Sequence, residues 1–168
     1  MSRLNDVVSE ELENDVVLIK KVTKVVKGGR NFRFSVLVIV GNRGGFVGYG
    51  LGKGKEVNEA VSNGILRAKK QMIRVFLTHE TIPYEIHGKC GCSEVFLKPA
   101  RQGTGIIAGS GVRVVCKYLG LRNVLSKCIK GNNITNIVKA TFDALSKIKN
   151  PVCIAKERGM ELNDIYGV

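Results

Sequence analysis

Residues 101–113 read RQGTGIIAGSGVR, and three of them could hold a phosphate. Gly103, Gly105 and Ala108 fit the G-x-G-x-x-A form of the dinucleotide fingerprint, and an apolar run, Val95-Phe96-Leu97, precedes them. That chemistry also needs a carboxylate about 20 positions further on to bind the ribose. No Asp or Glu stands between Glu94 and Asp143, so the dinucleotide reading fails. A second glycine cluster, GYGLGKGK at 48–55, invites comparison with the phosphate loop G-x(4)-G-K-[ST]. The first glycine would have to stand at 47 or 49, where Val47 and Tyr49 are found. The residue after the lysine would have to be Ser or Thr, and it is Gly54 or Glu56.

Catalysis and metal binding find as little support. Neither His79 nor His87 has an acid paired with it by spacing. His87 and Cys90 could form a nucleophilic dyad, but no orienting acid or amide is marked. His87-x-x-Cys90-x-Cys92 lacks the C-x(2–4)-C spacing of structural zinc, and no second cluster completes a set of ligands. The five cysteines (Cys90, Cys92, Cys116, Cys128, Cys153) are therefore expected as free thiols in a reducing compartment. No enzyme, cofactor or metal is expected.

Charge gives the positive signal. The 168 residues carry a formal charge of +13, which calls for a polyanionic partner, most simply nucleic acid. Residues 16–55 hold nine Lys or Arg and no acid, and residues 95–142 hold eight and again none. A merely solvating charged face mixes both signs. The start, MSRLNDVVSEELEN, is acidic without an apolar core, so neither a secretory signal nor a transit peptide is expected. The longest aliphatic run, Val36 to Val40, is far short of a membrane span.

The elements that would position these groups follow from periodicity. Phe32, Phe34, Val36, Val38 and Val40 alternate over Arg33, Ser35, Leu37 and Ile39, which predicts a strand with both faces partly apolar. The β-branched run Val16–Val26 precedes it across KGGRN, a hairpin signal, and a third strand is expected over Phe46–Leu51. Helical spacing predicts a helix over about 56–73. A boundary is expected near 75–83, where Pro83 punctuates. Beyond it the pattern predicts strands over Tyr84–Lys89 and Glu94–Lys98, a helix from about Ile106 to Leu119, a strand over Leu121–Ile129, and a helix over Asn133–Ile148. The fold class is α+β, β-β-β-α followed by β-β-α-β-α, with a short helix conceivable before the first strand.

RGGFVGYG approaches the RNA-recognition-motif signature but is one residue short and lacks its first aromatic. With no Trp and few rings, the composition argues against stacking of single-stranded bases. Cations on hairpin tips and glycine turns suit a folded RNA surface better.

Three segments carry a resemblance. VTKVVKGGRNFRFSVLVIVGNRGGFVGYGLGKGKEVNEAVSNGILRAKKQMI, FLKPARQGTGIIAGSGVRVV and NNITNIVKATFDAL, in this order and spacing, resemble the bacterial-type small-ribosomal-subunit protein five family over about residues 10–165. The resemblance implies a double-stranded-RNA-binding-like domain over 15–78 and a second domain over 79–150. It implies a left-handed β-α-β crossover in the latter, against the general rule. Residues 1–14 become an N-terminal extension and 151–168 a tail. It implies a protein of the small ribosomal subunit in the bacterial cytoplasm, an organellar ribosome being the second reading, that binds ribosomal RNA, supports assembly and translational accuracy, and lies near the messenger RNA entrance. Ribosomal proteins four and eight are the implied neighbours, and messenger RNA a further one. Ribosomal RNA contacts are expected at Lys20, Lys24, Lys27, Gly28, Gly29, Arg30, Arg33, Arg43, Lys53 and Lys55. The Lys27–Arg30 hairpin is associated in the family with spectinomycin sensitivity. Gly103, Thr104, Gly105 and Arg113 are expected on the side of protein four. Gly64 within the first helix and the Cys90-Gly91-Cys92 stretch depart from the family's pattern. A free-standing double-stranded-RNA-binding regulator would use the same first domain, but leaves the second acid-free window without a role.

Overall fold

The computed structural model describes residues 12–160. Most of the expected N-terminal extension, any helix within it, and the end of the tail lie outside the described residues. Three long antiparallel strands come first: β1 (Glu13–Val26), β2 (Gly29–Gly41) and β3 (Phe46–Gly54). Helix α1 (Val57–Lys70) and the short β4 (Ile73–Arg74) follow, and the sheet order is β1-β2-β3-β4. The second half comprises β5 (Ile86–Cys90), β6 (Ser93–Pro99), β7 (Ile106–Ile107), α2 (Ser110–Leu119), β8 (Val124–Lys130), α3 (Ile134–Ser146) and α4 (Pro151–Arg158). Its sheet order is β5-β6-β8-β7, with β7 parallel to β8 across the α2 crossover.

The alternation in β2 becomes two cores on two faces of one sheet. Val36, Val38 and Val40 face α1 and pack with Ala60 and Ala68. Leu37 and Ile39 face the other way, into a core shared with Val112, Val115 and Leu119 of α2 and with Val95 and Leu97 of β6. Burial of both faces explains why this strand reads as a near-continuous apolar run.

The glycines of GYGLGKG are explained by close packing. Gly48, Gly50, Gly52 and Gly54 share the face of β3 that lies under α1, and a Cβ at any of them would meet that helix's backbone or its first turn. The helix answers with a stripe of small residues, Ala60, Gly64 and Ala68, four apart and all buried. Gly64, unexpected in a helix, lies where a Cβ would press on Val38 Cγ2 at 2.7 Å. These residues belong to a strand–helix contact and not to a turn, so their amides are unavailable to phosphate. The second half repeats the device at Gly88 of β5, against Ala140 and Ala144 of α3.

Several boundaries differ from the periodicity reading: β3 runs on to Gly54, past the expected Leu51, and β5 begins at Ile86 in place of the expected Tyr84. The helix expected from Ile106 begins at Ser110, because Ile106 and Ile107 pair with Val124 and Leu125 and Gly109 is still extended. The strand expected from Leu121 begins at Val124, because α2 ends on Gly120 at φ 97 and Leu121 donates its N–H back to the Cys116 carbonyl at 3.0 Å. The expected tail opens with the helix α4. Cys90-Gly91-Cys92 is the tight turn between β5 and β6, with Gly91 at φ 58.

The halves are joined by a clasp. The last carbonyls of α2 have no partner within the helix. Arg43 N–H donates to the Tyr118 carbonyl and Gly45 N–H to that of Leu119, each at 3.0 Å. The GNRGG turn therefore caps α2 from the other half of the molecule. The connecting segment is tied down as well: Glu80's carbonyl accepts the N–H groups of Arg122 (2.9 Å) and Asn123 (3.3 Å), and Thr81's hydroxyl donates to the Asn123 carbonyl at 2.6 Å. Tyr49 of β3 packs against Phe142 of α3 with ring centroids 4.6 Å apart and the rings tilted by 58°.

Candidate nucleic-acid interface

Strand β3 ends at Gly54, opposite Phe34, but β1 and β2 continue together for five more residue pairs, from Val22–Arg33 to Val26–Gly29. At about 3.3 Å per residue this two-stranded ribbon stands about 17 Å clear of the three-stranded sheet. All its residues are exposed. Such a ribbon is marginal by itself and has no core of its own. Even so it carries apolar side chains: Val25 is 73% exposed and Phe32 50%. Lys21 lies over the Phe32 ring, its Nζ 4.2 Å from the centroid.

Register sorts the cations by face. Lys20 lies opposite Ser35, which in turn lies opposite Lys53; Val22 is opposite Arg33, and Lys24 opposite Asn31. Residues directly opposite share a face, so Lys20, Lys24, Arg33 and Lys53 all lie on one side, the side continuous with Leu37 and Ile39. Lys21, Phe32, Val25 and Arg30 lie on the other, continuous with Val36 and Val38. The first side is a shallow groove of about 530 Å³ whose lining includes Val22, Lys24, Asn31, Arg33, Ser35 and Lys53. Lys20 and Lys24 are about 13 Å apart along the strand, and Lys20 and Lys53 about 10 Å apart across it. Such an array offers several cations in a fixed plane to a polyanion. At the tip, Gly29 has φ 135, while a Cβ at Gly28 or Gly29 would meet nothing within 4 Å.

Two expected contacts stand apart from the ribbon. Arg43 sits in the interdomain clasp and its guanidinium pairs with Glu13 at 2.6 Å, so its charge is already met. Lys55 is exposed at the turn into α1, where its N–H donates to Glu59 Oε2 at 2.8 Å. Of the near-match to the RNA-recognition motif, Tyr49 is turned into the junction against Phe142 and cannot stack on a base. The alternation of β2 was the signal that could have assigned faces to Arg33 and Ser35. Exposed Phe32 and the Lys21 contact were not foreseen.

The Gly103–Gly105 loop cannot cradle a phosphate, for a visible reason. The amides of Gly103 and Gly105 both donate to the side-chain oxygen of buried Asn123, at 3.0 and 3.2 Å, and the Thr104 N–H and hydroxyl both return to the Arg101 carbonyl. Gly103, Thr104 and, on the first turns of α2, Arg113 are exposed, and Gly105 is half-buried. Among the described residues no three His, Cys, Asp or Glu side chains gather as metal ligands. His87 and Cys90 lie on opposite faces of β5, the histidine against Phe96 and the cysteine toward the core, so they form no dyad.

Comparison with known proteins gives two matches along the chain. Residues 12–76 match the family described as ribosomal protein S5, N-terminal domain, and residues 88–158 the one described as ribosomal protein S5, C-terminal domain. The small ribosomal subunit protein uS5 of Syntrophobacter fumaroxidans is 47% identical over 155 residues, covering 92% of this chain and 93% of that protein. The protein of the same name from Flavobacterium psychrophilum is 44% identical over 156 residues, covering 93% and 90%.

Proposed function

Because the chain belongs to the ribosomal protein S5 family, we propose that it is a structural, non-catalytic component of the small ribosomal subunit. Ribosomal RNA and neighbouring ribosomal proteins hold it there. The observation that carries the finer reading is the free β1–β2 ribbon with one basic face. Lys20, Lys24, Arg33 and Lys53 meet RNA phosphates from that face, and Lys27, Gly28, Gly29 and Arg30 meet RNA at the tip, while Lys55 stands apart at the turn into α1. Arg43 serves the clasp between the units 15–78 and 79–150. Exposed Gly103, Thr104 and Arg113, with half-buried Gly105, face ribosomal protein four, with protein eight nearby. From this position the protein supports subunit assembly and accuracy beside the messenger RNA entrance.

The tip supplies the test. Gly29 holds φ 135, so any side chain there strains the turn itself. Gly28 makes no such demand and faces open space. Gly28→Glu therefore adds a negative charge against phosphate without disturbing the fold. Footprinting of assembled subunits should show loss of protection confined to the RNA at this loop, with Gly28→Ala protecting normally. Full protection with Gly28→Glu would show that the tip does not touch RNA.

A further inference from the structure

The second sheet has a face that no helix of the described residues covers. Helix α3 packs on β5 and β6 from one side, the side of Gly88, Val95 and Leu97. The alternate residues turn the other way. Across the strands they form a row His87–Phe96–Lys127, flanked by Lys98–Leu125–Ile107 on one side and Lys89–Glu94–Lys130 on the other. The His87 and Phe96 rings lie 4.6 Å apart between centroids, tilted by 40°. Lys89, Lys98, Lys127 and Lys130 are exposed. Glu94 is the acid in these rows, and it is met by His87 Nδ1 at 3.6 Å and Lys89 Nζ at 3.7 Å. Ile107 is half-exposed, so the face is apolar at its middle and edge and strongly cationic around them.

We infer that this face binds single-stranded RNA, with one base stacked on Phe96 and its flanking phosphates held by Lys98 and Lys127. The surplus of cations calls for a polyanion. Four lysines with no arginine are a poor match for a protein partner, because lysine is depleted from protein–protein interfaces. The ring decides between single and double strands. A side chain lying on a flat sheet reaches the face of a base only where that base is unstacked and unpaired. Lys127 stands directly across from Phe96, about 5 Å away, and Lys98 two residues along the strand, about 7 Å away. A strand draped over the ring therefore passes both. This surface is separate from the β1–β2 ribbon and does not depend on it.

The chain contains no tryptophan, so Phe96→Trp installs a single emitter at the stacking position. It is placed in the full chain together with Lys20→Ala, Lys24→Ala, Lys27→Ala, Arg30→Ala, Arg33→Ala and Lys53→Ala, which mute the ribbon. A twelve-residue oligouridine should quench the emission by about half or more, because the base stacks on the indole. A blunt RNA duplex and poly-glutamate should leave it unchanged. In the same ribbon-muted chain with Phe96 in place, Phe96→Leu keeps apolar bulk and loses the ring. It should weaken oligouridine binding, read by anisotropy, about tenfold or more at an unchanged melting temperature. Lys98→Ala with Lys127→Ala should also weaken it about tenfold. Equal quenching by the duplex, quenching by poly-glutamate but not by RNA, or full affinity in Phe96→Leu would each overturn the inference; the second would assign the face to an acidic protein.

Discussion

Removing cations from one face of the ribbon should flatten the salt dependence of RNA binding by an amount that register dictates. Lys20, Lys24, Arg33 and Lys53 share a face, and Lys27 and Arg30 stand at the tip, which makes six cations available to phosphates. Each neutralised phosphate contributes about −0.9 to the slope of log affinity against log salt, so the slope should be about −5.4. Between 50 and 200 mM salt this corresponds to a loss of about 2 × 10³-fold. The double change Lys24→Ala and Arg33→Ala removes two contacts from the groove. It should reduce the slope to about −3.6 and the loss over the same range to about 150-fold. Lys21 lies between Lys20 and Lys24 in sequence but on the opposite face, with its ammonium over Phe32. Lys21→Ala should leave the slope near its original value. Anisotropy titrations against a folded fragment of small-subunit ribosomal RNA at four salt concentrations would read these slopes directly. An equal flattening by Lys21→Ala would refute the sidedness. A slope unmoved by the double change would remove the groove from the RNA interface altogether.

Two further outcomes follow from the packing. Gly50→Ala drives a methyl into the backbone of α1 at Gly64 and Ala68, where no flexible side chain can give way. Such overpacking costs about 2–3 kcal/mol, and a chain of this length should then melt about 5–10 °C lower, whereas Gly28→Ala should melt within about 1 °C of the parent. A Gly50→Ala melt equal to the parent's would show that the strand and helix are less tightly apposed. Burial pushes the Cys116 thiol up to about 12, while Cys92 and Cys153 are exposed. At pH 8 a thiol reagent should label Cys92 and Cys153 first and Cys116 only on unfolding, with all five counted in denaturant. Early labelling of Cys116, read by mass spectrometry, would contradict its place in the core.

Much of this fold was legible because it rests on local periodicity. The alternation of Phe32–Val40 located a strand buried on both faces, and the helical spacing after Val57 located α1. The two-residue strand β7 had no period to show, since it exists only through parallel pairing with β8, beyond α2 in the chain. The glycines misled for a related reason. GYGLGKG and GTG are alike in composition, yet one underlies a helix and the other closes on the buried Asn123 side chain. What a glycine does is settled by the atoms opposite it, and those lie elsewhere in the sequence. The aromatic count likewise carried no geometry, because it could not distinguish Tyr49, turned into the junction, from Phe96, on an uncovered sheet face.

The same limit governs the proposed RNA interface, where the basic windows were plain but their geometry was not. Strand alternation puts residues an even number apart on one face. Counted from Val16, which packs toward α1, Lys20 and Lys24 would also face α1. The structure instead places a register shift between Val16 and Leu18, so that Leu18 pairs with Leu37 and the rest of β1 is turned over. A bulge inserts one residue and reverses the parity of everything beyond it. Val17 is that residue, and because of it Lys20 and Lys24 join Arg33 and Lys53 on one face. Without the bulge Lys20 and Lys24 would join Arg30, and Lys21 would join Arg33 and Lys53, three cations to each side of the ribbon in place of four and two. The concentration of charge that makes this ribbon a candidate for RNA is thus set by one extra residue at its base, in a stretch of valines that carries no charge.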